Sequence, residues 1–162
     1  MTWFDYAALA VVSVSVVLAV WRGVVREIMA LAGWVTAFIV SSLFAQELAR
    51  WLPVSMSPML RSVSAYLVIF LAVLLLSGLA GMLLAKLFHA AGLGIADRAV
   101  GALFGLARGL LIVFVAVMMA GLTTLPKEPF WRDAALSGPL ETAVLAAKPA
   151  LPKDFAQRIR YR

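Results

Sequence analysis

The chain predicts an all-α membrane protein with four spanning helices. Composition is the first observation behind this: 64% of residues are hydrophobic and only 14% are charged, where a soluble domain carries about 25% charge. Mean hydropathy, at +1.01, agrees. The second is arrangement. The apolar residues fall into four runs, each long enough for a ~30 Å hydrocarbon core, at about 4–21, 28–45, 62–85 and 99–122. The third is the placement of Arg, Pro and aromatic residues, which gather at the ends of those runs as interfacial residues do. Residues 123–162 read as an extramembrane, amphipathic tail interrupted by prolines.

The opening Met-Thr-Trp-Phe-Asp-Tyr lacks the cationic region of a cleaved signal, and no small-residue cleavage site follows. The first run is therefore expected to be a retained span, with Trp3, Tyr6 and Trp21 at its interfaces and Asp5 capping its mouth. A short basic turn, Arg22-Gly23-Val24-Val25-Arg26-Glu27, leads to the second run. There Ala30 and Gly33 offer a small surface, and Pro53 and Pro58 mark the loop that follows. The third run is the longest; Ser77, Gly78 and Gly81 predict a packing seam, and Lys86 and His89 close it.

The fourth run opens on the most informative stretch, Gly92–Gly109. Asp97 is a natural N-cap for a helix starting at Ala99, and two glycines precede it. Gly101, Gly105 and Gly109 recur every fourth residue, a small-xxx-small stripe that permits close helix packing. At ~100° per residue, Gly101, Gly105, Arg108 and Ile112 share one face. Helical side chains lean towards the N-terminus, so Arg108 should lie back over Gly105 and Gly101. It either snorkels to the rim or lines a polar cavity. The turns after spans one and three lie on one side of the membrane, so Arg26, Glu27, Asp97, Arg98 and Arg108 can form a polar cluster, with Asp97 or Glu27 as partner for Arg108.

In the tail, Leu140–Lys148 reads as a short helix with Pro139 at its first position and Pro149 as its stop. Phe130 and Trp131 read as interfacial anchors, and the last residues, from Asp154 on, as a basic turn on lipid headgroups or a frayed end.

Charge and chemistry narrow the function. The formal charge of +6 arises half from the tail and half from residues flanking the spans, which suits lipid headgroups and membrane orientation and not nucleic acid. With Arg22, Arg26, Lys86 and Arg98 beside the first and third turns, these turns are expected in the cytoplasm and both termini outside. There is no cysteine and one histidine, so neither disulfides nor a thiolate or multi-histidine metal site is expected. No nucleophile–base–orienter set, Walker A motif or inverted repeat is visible, so neither enzyme activity nor a cofactor is expected.

Asp5 before an apolar run, Arg22-Gly23 and Arg26-Glu27 between the first two spans, and Asp97-Arg98-x-x-Gly101-x-x-Phe104-Gly105-x-x-Arg108-Gly109 resemble the bacterial colicin V production protein family. The resemblance covers roughly Met1 to Leu122, and the last motif is its specific part. It implies a small multi-pass inner-membrane protein with a role in toxin production or export; it supplies a process and no reaction. Two functions fit. One is an accessory protein that packs its helices against an envelope or secretion partner. The other is a small channel or carrier, formed by homo-oligomerisation, with a polar lining around Arg108.

Overall fold

The computed structural model describes residues 1–53, 56–150 and Tyr161. Among them, four long helices are long and apolar enough to cross a membrane: α1 (Trp3–Arg22), α2 (Val24–Trp51), α3 (Pro58–Ala90) and α4 (Gly94–Ala120). The tail adds two shorter helices, α5 (Pro129–Arg132) and α6 (Ser137–Ala147), with single 3₁₀ turns at Leu125–Lys127 and Lys148–Ala150. The chain is an all-α membrane protein, as its sequence predicts. Two compact units divide it, one of residues 1–19 and 102–162, the other of residues 20–101.

Helix ends differ from the sequence expectation in instructive ways. The basic turn after span one shrinks to Gly23, because α2 begins at Val24 and keeps Arg26 and Glu27 inside its first turn. Gly23 has φ +81°, a left-handed value that glycine adopts without the steric cost of a Cβ. Pro58 does not extend the loop but starts α3. Ser57 caps it by accepting from Leu60 N–H at 3.3 Å, and proline at the first helical position forfeits no hydrogen bond. At the other end of α3, Leu93 N–H bonds Phe88 C=O and Gly92 N–H bonds His89 C=O, with Gly92 at φ +79°. This is a Schellman closure. His89 turns its Nδ1 to the Ala85 carbonyl at 2.7 Å, a helix-end role.

In the second unit α2 and α3 form an antiparallel pair. Every fourth residue of α2 from Gly33 to Ala49 is buried: Gly33, Ala37, Ser41, Ala45 and Ala49. Opposite them lie Ala65, Gly81 and Ala85 of α3. A Cβ added to Gly33 would stand 2.7 Å from Ser77 Cβ, and one added to Gly81 would stand 3.0 Å from Met29 Cβ. The predicted seam is thus half right. Ser77 and Gly81 lie in it, whereas Gly78 has nothing within 4 Å and Ala30 is exposed. Gly78 is one residue, ~100°, around from Ser77, which is enough to leave the seam. Trp34, Phe38, Tyr66 and Phe70 line its edge, with Trp34 edge-on to Phe70 at 5.5 Å and Tyr66 stacked on Phe70 at 6.1 Å.

In the first unit α1 runs antiparallel to α4, and the tail folds onto their shared end. Ala8, Val113, Val117, Ala120, Trp131, Val144 and Tyr161 make one buried cluster. Trp131 is therefore not an exposed interfacial anchor, whereas Phe130 is exposed. Trp131 is 4% exposed, packs on Phe4 at 4.4 Å, and donates its indole N–H to Glu141 Oε1 at 2.7 Å. A buried indole needs such an acceptor. The tail helix begins three residues before the expected Leu140, at Ser137, so that Pro139 falls in a first turn whose N–H groups lack intrahelical partners anyway. The expected basic turn from Asp154 lies outside the described residues except for Tyr161, whose hydroxyl donates to Val117 C=O at 2.9 Å. Burial, and then the charge of Glu141, push the Tyr161 phenol up to about 12.

Candidate functional site

Two polar centres are present, one in each unit. In the first unit the centre is built on the glycine stripe of α4. Gly105 and Gly109 are buried against α1: a Cβ on Gly105 would stand 2.6 Å from Ala19 Cβ and 2.8 Å from Ser15 C=O, and one on Gly109 would stand 2.9 Å from Val12 Cα. Backbone cannot retreat as a flexible side chain can, so only glycine fits this approach. The stripe continues through Val113 and Val117, not through Ile112, which is 47% exposed. A repeat of four residues drifts across a 3.6-residue helix and leaves Ile112 to one side.

That closeness brings Ser15 to Arg108. Ser15 Oγ donates to Gly105 C=O at 2.8 Å and accepts from Arg108 Nε at 3.0 Å. Arg108 Nη2 also donates to the Ser15 carbonyl, at 3.2 Å. Through these bonds the guanidinium reaches across to both the hydroxyl and the backbone of Ser15 on α1. The Arg108 Cα lies roughly 18 Å from the C-terminal end of α4 and roughly 21 Å from the N-terminal end, at ~1.5 Å per residue. An arginine so placed is costly, by roughly 2.5–3.5 kcal/mol on insertion scales, unless it is hydrogen-bonded or reaches water. Ser15 was not singled out in the sequence. Its signal was there, in a small-residue line of α1 running Ala8, Ser15, Ala19.

In the second unit the centre is the N-terminus of α2. Asp97 Oδ1 accepts from Val25 N–H at 2.9 Å, so this side chain caps α2 from 72 residues away. It does not cap its own helix: α4 starts at Gly94, and Asp97 N–H already bonds Leu93 C=O at 2.9 Å. Asp97 is 4% exposed, and its Oδ2 is buried without a hydrogen-bond partner. Gly23 makes this approach possible, since any Cβ there would overlap Asp97 Oδ2. The same first turn carries Arg26, whose Nε is buried without a hydrogen-bond partner, and Glu27, which is 5% exposed and 3.9 Å from the Arg22 guanidinium. Two carboxylates thus face helix N-termini, where partial positive charge favours them. Arg98 is exposed, and Gly101 is buried one turn beyond Asp97.

A third carboxylate ties the tail down. Asp5 has no exposed surface and accepts from three backbone N–H groups: Thr2 at 2.9 Å, Ala135 at 3.1 Å and Leu136 at 2.9 Å. The first bond is the expected local cap. The other two reach across 130 residues and could not be read from neighbouring sequence.

The family model described as colicin V production protein matches residues 4–145. The chain is similar to the colicin V production protein homolog of Haemophilus influenzae, at 32% identity over 133 residues, 82% of each chain. It is equally similar to the colicin V production protein of Escherichia coli, at 32% identity over 137 residues, 84% of this chain and 85% of the relative. No solved structure matches it significantly. The match spans all four long helices, both polar centres and most of the folded tail, and the chain belongs to the colicin V production protein family.

Proposed function

We propose that this protein is a non-catalytic accessory factor of the bacterial inner membrane that serves colicin V production or export by packing its helices with an envelope or secretion partner. Family membership supports the process. The observation that most supports the mode of action is the use of Arg108: inside a span, its donors hold Ser15 of a neighbouring helix and so clamp two helices together. Large apolar side chains, among them Leu71, Leu75, Leu79 and Leu83 of α3, stay exposed for lipid or a partner helix. On this reading the first and third turns lie in the cytoplasm and both termini outside. Impermeant labelling should then protect position 24 and modify position 150 from the external face; the reverse pattern would overturn the orientation.

A second reading is an oligomeric channel or carrier lined around Arg108, favoured by the presence of a cation in mid-span at all. Native mass measurement from membranes separates the two. A single copy bound to a different protein supports the accessory role, and a stable ring of identical copies supports transport. A photo-crosslinker at Leu75 should capture a protein partner on the first reading and only lipid or another copy on the second.

A further inference from the structure

The end of the first unit carries a feature that helix packing does not use. Between α1 and α4 runs a groove of about 290 Å³, open along one side and lined by Phe4, Ala8, Val11, Ile112, Val117 and Trp131 among others. Every lining side chain is apolar, and the one N–H among them, that of Trp131, is already bonded to Glu141. A second, more open space of about 400 Å³, walled by Trp3 and Phe130, shares Phe4 and Ala7 with it. Water entering such a groove would find no hydrogen-bond partner, so water is not its natural filling.

From these observations we infer that the groove is a binding site for one acyl chain of a zwitterionic phospholipid bearing both a phosphate and a primary ammonium. Depth is the first support. From Phe4 to Val11 the groove follows α1 for ~10 Å from its end, within the ~15 Å that one leaflet of a ~30 Å core provides. Continuity is the second, because Leu9, Val115 and Met119 are large apolar side chains exposed on the same two membrane-spanning helices. Charge complementarity is the third. The tail segment that contributes Leu125 and Trp131 to the lining exposes Lys127 and Arg132, suited to a phosphate, and Glu128 and Asp133, suited to an ammonium. An anionic headgroup without an ammonium would leave those two carboxylates opposed to it. The wall is also held in place: Asp5 binds the backbone of Ala135 and Leu136, and Glu141 holds Trp131. The tail thereby forms one side of a lipid site.

The test is native mass spectrometry of the full chain released from nanodiscs of mixed phosphatidylethanolamine and phosphatidylglycerol. The wild type should retain one phosphatidylethanolamine through detergent washing. Ala7→Phe and Ala116→Phe place a ring into the groove from positions that are exposed and outside the core, and each should lower that retention several-fold. Ala30→Phe, on an exposed position of α2, should leave it unchanged. Lys127→Glu with Arg132→Glu should abolish the preference for phosphatidylethanolamine. Added phosphatidylethanolamine should raise the melting temperature of the wild type more than that of Ala7→Phe, a readout that registers whether each variant is folded. Retention of no lipid, equal retention of both lipids, or unchanged retention in the groove-filling variants would each overturn the assignment.

Discussion

Ser15 of α1 is both donor and acceptor to α4: its hydroxyl bonds the Gly105 carbonyl at 2.8 Å while receiving Arg108 Nε at 3.0 Å. Removing the hydroxyl therefore loosens two contacts at once. Inter-helix hydrogen bonds in membranes contribute about 0.6 kcal/mol on average and up to ~2 kcal/mol, so Ser15→Ala should lower thermal stability in detergent measurably. Ser15→Ala and Arg108→Ala should be strongly non-additive in a double-mutant cycle. Simple addition of the two losses would mean that the residues act independently. Arg108→Lys keeps the charge without the planar fork. It should reproduce most of the loss of Arg108→Ala.

The glycine stripe gives a sharper contrast. Gly105→Leu must place a side chain where even a Cβ meets α1 backbone at 2.8–2.9 Å. Overpacking typically costs about 1–3 kcal/mol, and the protein should melt earlier or fail to accumulate. Gly78→Leu, with nothing within 4 Å of the new Cβ, should accumulate normally. Equal abundance and melting of both variants would place the Gly105 face against lipid.

Asp97 caps α2 through Val25. Asp97→Ala should cost about 1 kcal/mol, within the usual 0.5–2 kcal/mol for a lost cap, and Asp97→Asn, which keeps an acceptor oxygen, should cost less. Gly23→Ala should be worse than either, since it combines a left-handed φ with overlap on the carboxylate. Melting curves of the three variants check this order.

Asp5 holds the tail by its bonds to Ala135 and Leu136. Asp5→Ala leaves part-buried N–H groups without this acceptor, at a cost of up to about 1–3 kcal/mol. Limited proteolysis should then cut the segment between Thr123 and Leu136 faster than in the wild type, while α2 and α3 stay intact. An unchanged cleavage pattern would mean that the tail holds itself by Trp131 and Tyr161 alone.

Tyr161 gives the pH dependence. Its phenol is raised from 10.0 to about 12 in the fold, so the folded state favours the protonated form. The stability this contributes is fully present below pH 10 and is lost as pH rises from 10 to about 12, because the unfolded chain releases that proton first. Wild-type melting temperature should fall through this window more steeply than that of Tyr161→Phe. In a tyrosinate absorbance titration, Tyr161→Phe should lack the step near 12.

The sequence by itself determined the class, the number of spans and the glycine stripe, because these rest on hydrophobic length and on a local repeat that hydrocarbon and helix geometry read directly. It also put Arg108 on the face that carries Gly105, and the structure gives the two residues a common partner in the Ser15 hydroxyl. What hydrogen-bonds to what was decided by tertiary structure. Asp97 had the local pattern of an N-cap, yet it caps α2, because Gly23 lets that helix end come within bonding distance of a carboxylate distant in sequence. Trp131 had the local pattern of an interfacial aromatic, yet it is buried, because Glu141 lies one short helix away to accept its N–H. Asp5, likewise, binds backbone 130 residues on. A polar side chain carries its need for a partner in its chemistry; which partner meets that need depends on which backbones the packed small residues allow to approach.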